Sequence, residues 1–218
     1  MILVPIKNTA AAKQRLASVL DQASRTKLAQ TMLTDVLTTL HRWKNRPKVG
    51  IVTGDPYATK LAAEYKFEVI PDLENPGETD AIEMATRLCV ERGEESTVVI
   101  PADIPLIQTW ELEEIYKQAP GEGSVLVPAG DGRGTNAALR RPANLFPLRF
   151  GNDSFKPHRA VAQATGKPCV VIALPGIAVD VDNPADLQQL LSIPGDTRAQ
   201  RLARSWNLPV TLFATDAV

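Results

Sequence analysis

The sequence predicts one α/β domain spanning 1–218, an open and mostly parallel sheet flanked by helices and joined by right-handed crossovers. Short runs rich in Val, Ile and Leu recur along the chain, and unbroken runs of that kind suit strands buried on both faces. Stretches of helical periodicity lie between most of them, and alternation of strand and helix is the pattern of a crossover sheet. At 218 residues the chain can bury a continuous core but is short for a second full domain.

The first strand is ILVPI, 2–6. A helical stretch is expected over 9–42, where Leu16, Leu20, Leu28, Met32, Val36 and Leu40 recur close to every 3.6 residues. There follow a strand at 48–54, a helix at 56–65, a strand at 68–72, a helix at 79–92, a strand at 96–103 and a helix at 109–118. The remainder predicts a strand at 124–129, a glycine-rich loop at 128–139, a helix at 155–165, a strand at 169–174 and a helix at 184–191. The last stretch, 190–218, reads as a helix and a tail strand, packed on the domain or exchanged with a partner subunit. Its apolar end, LPVTLFATDAV, suits pairing across a homodimer. There is no internal repeat and no low-complexity linker.

Charged residues make up 22% of the chain with a formal net charge of −1, so no global basic field exists to hold nucleic acid or an anionic membrane. An anion site must therefore be local. Cys89 and Cys169 sit in apolar contexts without metal-ligand spacing and are expected as reduced core residues, which favours the cytoplasm. No apolar run approaches the roughly 20 residues of a membrane span, and the N-terminus lacks the order of a signal peptide.

Ligands of open α/β sheets collect at the carboxyl ends of the strands. Lys7, Lys13 and Arg15 follow the first strand, Asp103 lies in PADIP after the fourth, and Asp180 and Asp182 follow the sixth. Pro101 and Pro105 exclude helix around Asp103 and hold it in an extended turn; Thr109 is the better cap for the next helix. Asp180 and Asp182 alternate with Val179 and Val181, so both carboxylates face one way and the valines face the core. Two such charges repel unless a cation lies between them, and Mg²⁺ suits hard oxygen ligands shared with phosphates. Asn183 and Pro184 already provide the cap and first position of the following helix, which leaves the aspartates available.

In PAGDGRGTNAAL, 128–139, Gly130, Gly132 and Gly134 either turn their amides inward as an anion nest or form a plain hairpin loop. RFGNDSFKPH, 149–158, opens another helix, where Ser154 either caps or binds a phosphate oxygen. His158, a turn further on, is expected to hydrogen bond or pack along the helix, a catalytic role being the alternative. Metal-holding carboxylates, cations for a triphosphate and a second site for an acceptor phosphate describe nucleotidyl transfer, in which positioning and charge neutralisation carry the catalysis.

The ordered motifs VPIK with AKQRL, PADIPLI, GRGTNAAL, FGNDSFKPH and LPGIAVDVDNPADL span nearly the whole chain. In these it resembles the guanylyltransferases that activate a small phosphorylated acid in biosynthesis of the deazaflavin coenzyme F-420, relatives of the molybdenum-cofactor guanylyltransferases. The resemblance implies a nucleotidyltransferase fold of the nucleotide-diphospho-sugar transferase kind, GTP as donor and Mg²⁺ as cofactor. It implies 2-phospho-L-lactate, phosphoenolpyruvate or 3-phospho-D-glycerate as acceptor. Carried over, Asp103, Asp180 and Asp182 are the metal ligands; Thr135, Asn136, Gly151 and Ser154 hold the acceptor; Lys7, Lys13 and Arg15 hold the triphosphate. Lys7, Lys13, Arg15 and Asp103 are thus the candidate catalytic set. The chain departs from the family at NPGETD, 75–80, on the nucleotide side: Gly77 stays, while Glu78, Thr79 and Asp80 replace its usual neighbours. Thr79 or Asp80 either caps the next helix or, with Gly77, helps select the base. The alternatives are a nucleotidyltransferase of the same fold with another base or acceptor, such as a cytidylyl-, sugar-nucleotide or molybdopterin transferase, and a non-catalytic nucleotide-binding regulator.

Overall fold

The computed structural model describes residues 1–72, 77–151 and 153–209. Among them, seven strands form one sheet: β1 (Ile2–Ile6), β2 (Val49–Thr53), β3 (Glu68–Pro71), β4 (Thr97–Val99), β5 (Gly123–Pro128), β6 (Thr135–Arg141) and β7 (Cys169–Val171). Their order is β3-β2-β1-β4-β6-β5-β7. β1 pairs in parallel with β2 and β4, β2 with β3, and β5 with β7, whereas β6 runs antiparallel to both β4 and β5. The expected mostly parallel sheet is present, with one reversed strand, β6, between β4 and β5.

The helices are α1 (Gln22–Arg42), α2 (Pro56–Tyr65), α3 (Glu78–Glu91), α4 (Thr109–Lys117), α5 (Phe155–Ala164), α6 (Pro184–Ser192) and α7 (Arg198–Ser205). Every residue of β1 is buried, because strand side chains alternate between two covered faces. Ile2, Val4 and Ile6 join Leu33, Val36, Leu37 and Leu40 of α1 on one face. Leu3 joins Ile82 and Ala85 of α3 and Ala162 of α5 on the other. A third cluster lies outside the sheet, where Leu28 and Met32 of α1 meet Leu187, Leu190, Ala199 and Ala203 of α6 and α7. Val179 and Val181 belong to it, both buried as the alternation predicted.

Several local expectations are corrected. The helix expected from residue 9 begins at Gln22; Thr9–Ala11 and Gln14–Leu16 are short 3-10 turns. Lys13 between them has φ 57° and ψ 42°, a left-handed conformation that no α-helix continues through. Asp21 then caps α1 by accepting from the Ser24 amide. The strand of 169–174 stops at Val171, so Asp180 and Asp182 lie in an irregular segment before α6. Gln108, not Thr109, precedes α4, its amide satisfied by the Glu111 carboxylate at 2.8 Å. Gly77 occupies the cap position of α3, so neither Thr79 nor Asp80 does. Cys89 is buried, but Cys169 is only partly covered; both thiols are free. The C-terminal helix is α7, and the tail from 210 lies outside the described residues.

The strand β6 was expected as loop. Its sequence, TNAALRR, carries polar residues at both ends, yet Arg140 is fully buried. Its guanidinium donates to the Phe146 carbonyl and to Thr86 Oγ1, both at 2.7 Å, and Glu83 lies 3.6 Å away. Burial pushes its pKa down to about 10, and the Glu83 charge opposes that fall. A buried cation supplied with partners in this way fastens β6 to α3 and to the 143–148 connection.

Candidate active site

The loop after β1 is braced from below. Asp55 accepts from the amide and hydroxyl of Thr9 at 2.8 and 2.9 Å with one carboxylate oxygen, while the other caps α2 through the Ala58 amide. Asn8 closes the first 3-10 turn by accepting from the Ala10 amide. The left-handed Lys13 supplies the turn that a glycine would otherwise make, at a backbone cost of about 1–2 kcal/mol.

That turn aims Lys13 inward. Its Nζ lies 2.6 Å from Asp103 Oδ2 and 2.7 Å from Asp182 Oδ1, joining the loop after β1 to residues 90 and 169 positions away. Burial works against the Lys13 charge, but the two carboxylates outweigh it and hold the ammonium well above the usual lysine range. Asp182 responds in the opposite sense: burial would raise its pKa, but Lys13 and then Arg15 bring it below the usual carboxylate value. Arg15 Nη1 stands 3.9 Å from Asp182 Oδ2. The Asp103 carbonyl accepts from the Val181 amide at 3.2 Å, which pins the PADIP segment to the segment carrying the other two aspartates.

Asp180 is oriented differently. Its Oδ1 accepts from Asn136 Nδ2 at 2.9 Å, and the same amide also donates to the Ile177 carbonyl at 2.9 Å. Burial raises the Asp180 pKa, Asn136 opposes the rise, and the negative charges of Asp103 and Asp182 add to it. Behind this segment Glu111, fully buried, accepts from the amides of Gln108, Gly176 and Ile177. Asp186 accepts from the amides of Asp182 and Asn183, and Asn183 caps α6 as expected. Among the described residues no three acidic, histidine or cysteine side chains stand together as a metal-binding group; the Lys13 ammonium occupies the point on which Asp103 and Asp182 converge.

A cavity of about 490 Å³ opens beside this cluster, lined by Lys7, Asn8, Lys13, Glu78 and Asp103 and by the apolar Ala29, Met32 and Leu33. Lys7 pairs with the nearly buried Asp72 at 3.1 Å. Sequence reasoning gave no role to Asn8, Asp72 or Glu78; position at the ends of β1 and β3 was the available signal for the first two. Glu78 is exposed and lines the cavity; desolvation, then the charges of Asp103 and Asp182, raise its carboxyl pKa, and Lys13 and Lys7 oppose the rise. Gly77 sits just before it, while Thr79 turns away and accepts from the Phe150 amide at 3.1 Å. Asp80 is exposed and is not among the residues lining this cavity. A larger cavity, about 620 Å³, lies between α1, α4 and α7, and none of the expected site residues lines it.

Of the expected acceptor residues, Thr135 and Ser154 are brought together, while the Asn136 side chain is turned to Asp180 and the Ile177 carbonyl. Thr135 and Asn136 are the first residues of β6 rather than a turn, and Ser154 stands at the start of α5 with its Oγ 3.4 Å from Thr135 Oγ1. Gly151, at φ +138°, adopts backbone that a side chain would strain. The glycine-rich loop is the hairpin between β5 and β6, not an anion nest. Gly130 donates to the Ala178 carbonyl, Gly132 to Ala129, and Gly134 to Asp131, so these amides are spent inside the protein.

Cations and carboxylates converging at strand ends beside a cavity, on a sheet of this order, define a nucleotidyltransferase. The fold is shared with a Desulfovibrio desulfuricans structure assigned to the nucleotide-diphospho-sugar transferases, at TM-score 0.77 and 18% identity over 97% of this chain and 95% of that one. A cytidylyltransferase of Leptospira borgpetersenii aligns at TM-score 0.58 and 13% identity over 100% of this chain and 97% of that one. Within that class, the family model described as "Guanylyl transferase CofC like" matches residues 1–217, and the chain belongs to that family. It is 34% identical to a phosphoenolpyruvate guanylyltransferase of Roseiflexus castenholzii, over 94% of this chain and 93% of that protein. It is 32% identical to a 3-phospho-D-glycerate guanylyltransferase of Colwellia psychrerythraea, over 94% and 98%. The family expected from the ordered motifs is the family found.

Proposed function

We propose that this guanylyltransferase moves GMP from GTP to the phosphate of a three-carbon phospho-acid in coenzyme F-420 biosynthesis. Phosphoenolpyruvate and 3-phospho-D-glycerate, named for its relatives, and 2-phospho-L-lactate are the acceptors to test. An acceptor phosphate oxygen attacks the α-phosphorus of GTP; that P–O bond forms as the bond to the β-phosphate bridge breaks, and pyrophosphate leaves. The observation that carries this function is the convergence of Asp103 and Asp182 on one cationic atom beside a cavity that also holds Lys7.

Lys7, Lys13 and Arg15 would neutralise the triphosphate and hold the departing pyrophosphate. The apolar wall of Ala29, Met32 and Leu33 suits the flat base, and Glu78, next to Gly77 at the start of α3, bounds the same cavity. Thr135, Asn136, Gly151 and Ser154 would orient the acceptor. Two carboxylates already aimed at one cation, with a third on the same segment, are a donor set of hard oxygens that fits Mg²⁺, so Asp103, Asp180 and Asp182 are its ligands in this proposal. Bound there, Mg²⁺ would supply charge neutralisation to the reacting phosphates. The enzyme works in the cytoplasm in this proposal, its free thiols suiting a reducing compartment, and pairs as a homodimer that sedimentation would reveal.

The test is incubation of the full chain with GTP, Mg²⁺ and the three acids in competition, with mass spectrometry of the product and measurement of pyrophosphate. A guanosine diphosphate-linked acid is expected; no release with any of the three acids refutes the function. Thermal shift with GTP against CTP, UTP and ATP checks the base, the preferred nucleotide raising the melting temperature most.

A further inference from the structure

His158 is buried on α5, and each of its ring nitrogens has a partner. Nε2 receives the Arg149 backbone amide at 2.8 Å, and Nδ1 lies 3.0 Å from Thr135 Oγ1. A backbone amide only donates, so Nε2 carries no proton; in a neutral ring the proton then resides on Nδ1 and is donated to Thr135. Burial, helped by the Arg140 cation, pushes the imidazole pKa down to about 4, consistent with a ring that stays neutral near pH 7.

The consequence falls on Thr135. Its oxygen accepts from His158 and lies 3.4 Å from the Ser154 hydroxyl, so the imidazole turns the Thr135 proton away from itself. The same ring joins β6 to the 149–151 segment that ends at Gly151, and the Phe150 amide next along that segment is held by Thr79. Every element assigned to the acceptor therefore meets at one imidazole: β6 through Thr135, the 149–151 segment through Arg149, and the start of α5 through its own chain.

Resting on the acceptor assignment above, we infer that His158 is a positioning residue of the acceptor subsite, which spaces Thr135 from Gly151 and commits the Thr135 hydroxyl to donating toward the anionic acceptor. It takes no part as acid or base, since both nitrogens are engaged within the protein.

The test compares steady-state kinetics of the full-length wild type, His158→Ala, His158→Asn and Thr135→Val with GTP, Mg²⁺ and whichever acid the wild type uses. The Asn side-chain amide can reproduce the Nδ1 donor. His158→Ala is expected to raise KM for the acid about tenfold or more while KM for GTP stays within about twofold, and Asn is expected to recover most of the loss. Thr135→Val combined with His158→Ala should be no worse for the acid than Thr135→Val alone, because the ring acts through that hydroxyl. Should the Ala variant fail to fold, His158→Asn and Thr135→Val carry the comparison: an unchanged acid KM in Thr135→Val overturns the inference. Turnover with an unaltered acid KM in His158→Ala overturns the His158 role alone. A wild type that uses none of the acids overturns the acceptor assignment and this inference with it.

Discussion

Glu111 lies outside the cavity that holds Lys7 and Lys13, yet it braces the residues just before Asp180 and Asp182. Its carboxylate is fully buried and accepts from Gly176 at 2.6 Å, Gln108 at 2.8 Å and Ile177 at 3.3 Å. Burial raises its pKa, and the three amides oppose that rise. Glu111→Ala would strand these donors, at about 1–3 kcal/mol for each that water cannot reach, and open a cavity, a loss of about 3–5 kcal/mol in all. At ~2–4 °C per kcal/mol for a chain of this size, the melting temperature should fall by about 10 °C. Glu111→Gln keeps the volume and one acceptor oxygen, but sets an amide donor against one of the backbone donors, so its cost should be smaller, about 1–3 kcal/mol. Calorimetry and urea unfolding of the three proteins measure this order. An Ala variant melting within about 2 °C of wild type would refute the bracing role, because even one lost buried charge-assisted bond should exceed that.

Gly176→Ala attacks the same brace sterically: a Cβ there would lie 2.4 Å from the Leu106 carbonyl oxygen and 2.5 Å from Glu111 Oε2, so a lower melting temperature is expected. Lys13→Met leaves Asp103 and Asp182 facing each other without their cation. Turnover should be lost, and Mg²⁺ should raise the melting temperature of this variant more than that of wild type; equal shifts would argue against Mg²⁺ entering between these carboxylates. For His158 the folded pKa is depressed from 6.5 to about 4, so the stability of its neutral form is complete above pH 6.5 and is lost as pH falls through 4. The stability difference between wild type and His158→Asn should therefore shrink over that window by at most about 3 kcal/mol. A difference independent of pH would show that the ring does not carry that depression.

Strand and helix order was legible because buried parallel strands are written as continuous Val, Ile and Leu runs, and Pro56 and Pro184 mark helix starts. β6 was not legible: Arg140 resembles surface until the Phe146 carbonyl and Thr86 are seen around it. The helix expected from residue 9 failed because its apolar spacing survives in Leu16, which is buried from a 3-10 turn instead. Within the candidate site, the alternation predicted the buried Val179 and Val181 but not the two carboxylates, since Asp180 turns to Asn136 while Asp182 meets Lys13. The Lys13 contacts could not be read, since local spacing says nothing about a partner across the fold, and Glu78 was visible only as a departure from a family pattern. Gly130, Gly132 and Gly134 misled because composition reports permissive backbone but not where its amides point.

The meeting of Lys13 with Asp182 joins points 169 positions apart in the chain. Bringing such distant segments together carries a loop-closure cost that local contacts do not, so this junction belongs among the last parts of the molecule to consolidate during folding. The sheet order sharpens the point: β1 to β4 are contiguous with one another through local crossovers, whereas Asp182 arrives only after β5, β6 and β7 have been laid down beside them. A nascent chain thus carries the basic loop and Asp103 long before Asp182, the second carboxylate on Lys13, exists. Loss of structure near α6 would separate Asp182 from Lys13 while leaving the pairing of the first four strands in place.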